Sequence, residues 1–168
     1  MNETPVRCLI LACGNTLRGD DGVGPWLANW AEARFRAQAV VQVLCRQQWT
    51  PELAKDVAHA ESVLFIDWSV ESGPGSVRLV SIEPAAGDAG LATHHLGAAE
   101  LLDLGRKLYA SLPREAMLLT VGAGTMELGE QFSGAVKAVL PEACSLLEET
   151  AIRLLGNSKC AGTDKPGL

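Results

Sequence analysis

The chain has no excess of positive charge and no long apolar run. Its 168 residues include 14 Lys and Arg against 20 Asp and Glu, a formal net charge of -6. Phosphate backbones and anionic membrane surfaces are recognised by Lys and Arg in excess, so neither nucleic acid nor a membrane is an expected partner. No stretch approaches the ~20 apolar residues that a membrane-spanning helix needs. The segment from Met1 to Arg7 lacks the charged start, apolar core and small-residue cleavage site of a secretory leader. Cys8, Cys13, Cys45, Cys144 and Cys160 are odd in number and form no CxxC pair, which fits reduced thiols better than a disulfide framework or a zinc knuckle. The expected compartment is the cytoplasm. A Gly-x-Ser-x-Gly elbow, an HExxH helix and a GxGxxG turn are also missing, so serine-hydrolase, zincin and dinucleotide chemistry find no support.

What is there describes an ordinary folded domain. Hydrophobic residues make up 48% and charged residues 20% of the chain, values typical of globular proteins. A chain of this size buries roughly 70% of the surface its unfolded form exposes, enough for one core. Residues 6 to 13, VRCLILAC, are a nearly continuous apolar run, the mark of a strand buried on both faces. Val23, Trp26, Leu27, Trp30 and Ala31 then recur at helical spacing, with Pro25 in the first turn. Residues 39 to 45 predict a second strand. A short helix over 51 to 60 is expected to use Thr50 as N-cap and Pro51 as first residue. SVLFID, 62 to 67, is a third strand, and the alternating stretch from Ser76 to Ile82 follows a Gly73-Pro74-Gly75 turn, suggesting a hairpin after it. Leu96 to Leu108 predicts a helix and Ala116 to Gly122 a last strand. Phe132 to Leu155 predicts a closing helix that Pro141 kinks or divides. The expected fold is a single α/β domain over 1–155: an open, twisted, mostly parallel sheet of about five strands with helices on both faces. Residues 156–168 are expected to be a disordered tail. In such folds ligands bind at the carboxyl ends of the strands.

The loop after the first strand, Cys13-Gly14-Asn15-Thr16-Leu17-Arg18-Gly19-Asp20-Asp21-Gly22-Val23-Gly24, has the glycine spacing of a phosphate-binding turn. Its chemistry is wrong for phosphate, because Asp20 and Asp21 stand where Lys and Ser/Thr are required. Two carboxylates at a helix mouth suit a cation, a proton or a cationic group; equally, one of them can be a plain N-cap. Asp67 ends the third strand at the same rim, where an isolated aspartate is most often a turn former bonding its own following backbone. His94 and His95 precede the next helix. Asp21, Asp67 and His94 together offer two oxygens and one nitrogen, a set suited to nickel, zinc or a similar divalent ion with positions left open.

These residues resemble the nickel-iron hydrogenase maturation endopeptidases over roughly Arg7 to Leu155. Gly14 to Gly24 is similar to that family's Gly-Asn-x-x-x-x-Asp-Asp/Glu-x-x-Gly loop. Leu64-Phe65-Ile66-Asp67 resembles its strand ending in Asp, and Thr93-His94-His95-Leu96 its Ser/Thr-His block. The resemblance implies an endopeptidase that removes the C-terminal extension of the nickel-loaded large-subunit precursor. It implies that Asp21, Asp67 and His94 contact nickel held by the precursor, with no tightly bound cofactor in the enzyme. Asp20, Asp21 and Asp67 are then the acids available to activate water, unless the ion itself polarises the carbonyl. Trp68-Ser69-Val70 departs from the small residue and second acid expected after Asp67. Two other readings fit the same residues: a hydrolase with its own catalytic metal, and a non-cleaving nickel-binding chaperone of the large subunit.

Overall fold

The computed structural model describes residues 5–86 and 96–157. In chain order the elements are β1 (Cys8–Cys13), a 3-10 turn (Gly19–Gly22), α1 (Val23–Phe35), β2 (Val41–Arg46), α2 (Ala54–His59) after a 3-10 turn at Pro51–Leu53, β3 (Ser62–Ser69), β4 (Val77–Ser81), α3 (Ala98–Tyr109), β5 (Glu115–Gly122) and α4 (Gly134–Gly156). The five strands form one sheet in the order β2-β1-β3-β5-β4. β2, β1, β3 and β5 run parallel, and only β4 is antiparallel.

The parity of the strands divides the core between the two faces. Cys8, Ile10, Ala12, Leu64, Ile66, Leu119 and Val121 pack with α1 and α4 residues such as Leu27 and Leu147. Leu9, Leu11, Cys13, Val63 and Phe65 point the other way and pack with Leu53, Val57, Leu101 and Leu102 from the α2 and α3 layer. Every β1 residue is therefore buried, as its unbroken apolar run predicts. Each fully buried Leu, Ile or Phe contributes about 1.5–3 kcal/mol relative to its exposed state.

Two expectations are corrected. Ser76 to Ile82 does form a strand after β3, but β4 pairs antiparallel with β5, not with β3. Both edges of β3 are already taken by β1 and β5, which leaves the half-exposed β4 the sheet margin. α4 runs through Pro141 as one helix. The missing amide costs about 3 kcal/mol or more, and burial of Val136, Ala143, Cys144, Leu147, Ala151 and Leu154 along α4 offsets it. Thr50 takes the expected N-cap position and Pro51 the first position, at the 3-10 turn that leads into α2 and without a side-chain cap hydrogen bond. The helix over 96 to 108 is α3, and α4 itself ends at Gly156; residues 158–168 of the expected tail lie outside the described residues.

The tryptophans separate cleanly. Trp49 is buried and stands edge-on to Phe65, with ring centroids 5.4 Å apart. Trp30 packs partly buried against the α1 and α4 core. Trp26 is exposed on α1 and lines a hollow of about 350 Å³ with Thr16, Gly22, Phe132 and Lys137.

Candidate active site

The loop between β1 and α1 is folded by two close approaches that only glycine permits. A Cβ on Gly14, whose φ is +149°, would lie 2.0 Å from the Asp21 carbonyl oxygen. A Cβ on Gly24 would lie 2.0 Å from the Cys13 carbonyl oxygen. The start of α1 is thereby pressed onto the end of β1, and the intervening loop is driven to the carboxyl edge of the sheet. Its outer part is zipped to residues 125–129: Gly19 N–H donates to Gly129 O at 2.7 Å, Gly129 N–H to Leu17 O at 2.9 Å and Asp20 N–H to Thr125 O at 3.1 Å.

Asp20 is fully buried and fully used. Its Oδ1 accepts from the Ser133 amide at 2.7 Å. Its Oδ2 accepts from the Gly124 amide at 2.7 Å, the Thr125 amide at 2.9 Å and the Ser133 hydroxyl at 2.7 Å. Burial alone would raise its carboxyl, but the bonds from Ser133, Gly124 and Thr125 outweigh it and hold the group below the usual carboxylate range. Ser133 is also the N-cap of α4, accepting from the Val136 amide. Asp20 therefore fastens the β1–α1 loop to the start of α4. Neither aspartate caps α1, whose N-cap position is Gly22 without a side-chain bond.

Asp21 is the opposite case. It is 7% exposed, yet Oδ1 is buried with no hydrogen-bond partner among the described residues. Burial pushes its carboxyl upward against the opposing pull of the Asn15 amide, the Trp68 side chain and Arg18. Asp67 lies nearby in β3, which does not end at this residue as expected but pairs with β5 as far as Ser69. Its Oδ1 accepts from the Trp68 amide at 2.8 Å and from the Cys13 thiol at 3.2 Å. The expected bond from Asp67 to its own following backbone is thus present, and the group does more besides. Burial raises the Asp67 carboxyl; the bonds from Cys13 and Trp68 oppose this, while the negative charge of Asp21 adds to the rise. Burial and the neighbouring charge of Asp21 thus both disfavour the ionised form of Asp67.

His94 and His95 lie outside the described residues, so the expected third ligand is not placed. Leu96, just beyond them, packs on the same sheet face that carries Cys13 and Phe65. Among the described residues, no three His, Cys, Asp or Glu side chains are grouped to hold a metal. The orphaned Asp21 oxygen and the hard carboxylate donors nevertheless fit a divalent ion presented from outside. Burial, then Asp67, push the Cys13 thiol up, and burial does the same to Cys45, so neither is an activated nucleophile. The hollow beside Trp26 is lined by neither carboxylate.

Three participants escape sequence reading: Ser133, Trp68 and Cys13. A serine ahead of a helical run signals a cap, but not an aspartate more than a hundred residues away. Trp68, the departure from the expected small residue, brings its amide to Asp67 and its side chain to Asp21.

No protein-family model and no curated protein matches the chain. Among solved structures, the NiFe hydrogenase maturation protease HybD from Thermococcus kodakarensis is 30% identical, with 86% of this chain and 99% of that one covered and a TM-score of 0.64. The chain belongs to the hydrogenase maturation protease family. A hydrogenase 2 maturation peptidase from a Thaumarchaeota archaeon is 25% identical, over 88% of this chain and 99% of the other, with a TM-score of 0.63. The hydrogenase maturating endopeptidase HybD of E. coli, at 22% identity, shares the fold with a TM-score of 0.71 over 91% of this chain and 94% of its own. This maturation protease is thus a peptidase, with Asp21 on the β1–α1 loop and Asp67 in the last part of β3.

Proposed function

We propose that this peptidase removes the C-terminal extension of a nickel-iron hydrogenase large-subunit precursor and senses the precursor's nickel through Asp21 and Asp67, with His94 as third contact. The observation that carries the reading is the pair of desolvated carboxylates at the sheet rim, one with a buried oxygen that has no partner. The nickel is cargo of the substrate, held by the precursor's own ligands. Its approach relieves the repulsion between the two acids, and the energy released by docking fixes the peptide chain so that the scissile bond lies in the crevice.

Asp20 takes no part in the chemistry, because its oxygens are occupied by four donors and its carboxyl is held low. The acid that activates water comes from Asp21 and Asp67, whose raised carboxyls are better bases than an exposed aspartate; the enzyme is in this sense aspartic. Among the described residues no helix is long and apolar enough to cross a membrane. The work is assigned to the cytoplasm.

The test is to mix the protein with nickel-loaded and nickel-free forms of the cognate precursor and follow the subunit's mass. Loss of a C-terminal peptide from the loaded form alone, abolished by Asp67→Ala, is the expected result. Equal cleavage of both forms removes nickel sensing from the account. Binding without cleavage makes the protein a chaperone.

A further inference from the structure

Cys13 sits where nothing in the proposed reaction requires a thiol. It is the last residue of β1 and 8% exposed. The register that pairs Ala12 with Ile66 brings it beside Asp67 across the parallel β1–β3 ladder. Its sulfur donates to Asp67 Oδ1 at 3.2 Å, and the Trp68 amide donates to that same oxygen at 2.8 Å. Both donors thus converge on one carboxylate oxygen, and neither engages Oδ2. The backbone of Cys13 cannot shift away, because α1 presses on its carbonyl at Gly24 and the next amide, that of Gly14, donates to Arg46 O at 3.0 Å. The thiol is therefore a donor on a rigid strand end that joins the Trp68 amide in holding Oδ1 of Asp67.

We infer that Cys13 is a positioning residue that pins Asp67 through Oδ1 so that Oδ2 is presented to the precursor's metal. The inference rests on the nickel-sensing reading above. The amide of Trp68 is supplied by the backbone whatever residue stands there, whereas the second donor depends on the side chain at position 13. A hydroxyl substitutes for the thiol in this role and a methyl group does not.

The test compares Cys13→Ser with Cys13→Ala in the full-length protein. Serine keeps a γ-atom donor of nearly the thiol's size and alanine keeps none, so recovery in the Ser variant alone reports the donor. kcat/KM for the nickel-loaded precursor is expected to fall roughly tenfold in Cys13→Ala, because one hydrogen bond to a charged acceptor is lost from an acid used in docking. Equilibrium binding of the loaded precursor should weaken by the same factor, and Cys13→Ser should restore both to within about threefold. Equal kcat/KM and equal binding in wild type and Cys13→Ala overturn the inference, and so does equal impairment of the Ala and Ser variants, which marks Cys13 as packing alone. Failure of the wild-type protein to distinguish loaded from nickel-free precursor would instead overturn the nickel-sensing reading itself.

Discussion

Asp20 and Asp21 are chain neighbours of one chemical type, both buried in the same turn, and they are put to opposite uses. Asp20 meets four donors from the 124–133 segment and is held low; Asp21 is left with an unpartnered oxygen beside Asp67 and is pushed high. The difference arises because consecutive residues of a tight turn face different neighbours. One side of the turn meets the start of α4, the other the open end of the sheet. Satisfied polar groups stabilise a fold, and unsatisfied ones are kept where a ligand completes them.

The largest effect expected is on the open side. Asp67→Asn keeps an acceptor for Cys13 and Trp68 but removes the charge, and should lower kcat/KM for the nickel-loaded precursor about a thousandfold, or ~4 kcal/mol, while the protein melts at or above the wild-type temperature. Steady-state cleavage and a thermal melt check both halves. Asp20→Asn should do the reverse. It leaves at least one of the four donors facing an amide group, with an expected loss of about 3 kcal/mol of unfolding free energy in urea titration; cleavage per folded molecule should change only a few fold. Ser133→Ala removes both a donor to Asp20 and the cap of α4, and should cost about 1–2 kcal/mol by the same titration.

The smallest effect is in pH dependence, and its sign differs between the two acids. A lowered carboxyl such as Asp20 contributes stability that is present above the unfolded value of about 3.9 and is lost as pH falls through its folded value. A raised carboxyl such as Asp21 works against the fold once ionised, so its effect is a decline in stability as pH rises from about 4 through its folded value. Urea titrations across pH should show that decline flattened in Asp21→Asn, and the acid-side loss flattened in Asp20→Asn.

Much of this division is invisible along the chain. The parallel sheet was legible, because β1 and β3 are unbroken apolar runs and the Gly14 to Gly24 loop has glycines where backbones touch. Asp21 and Asp67 do lie close enough to interact, although β3 runs two residues past Asp67, where the strand was expected to end. What separates Asp20 from Asp21 is contact with Gly124, Thr125 and Ser133, distant in sequence and joined only by the fold. The pairing of β4 with β5 was hidden for a similar reason, since local alternation announces an edge strand but not its neighbour. Cys13 looked like one more apolar residue of β1 until the β1–β3 register set it against Asp67.

The most direct test of the division is a paired measurement on Asp20→Asn and Asp21→Asn: the melting temperature of each, and the mass of nickel-loaded precursor after incubation with each. The account predicts that Asp21→Asn melts no lower than wild type and leaves the precursor uncut, whereas Asp20→Asn melts lower and still cuts while folded. An Asp21→Asn protein that processes the precursor at the wild-type rate, or a folded Asp20→Asn protein that has lost cleavage, would contradict it.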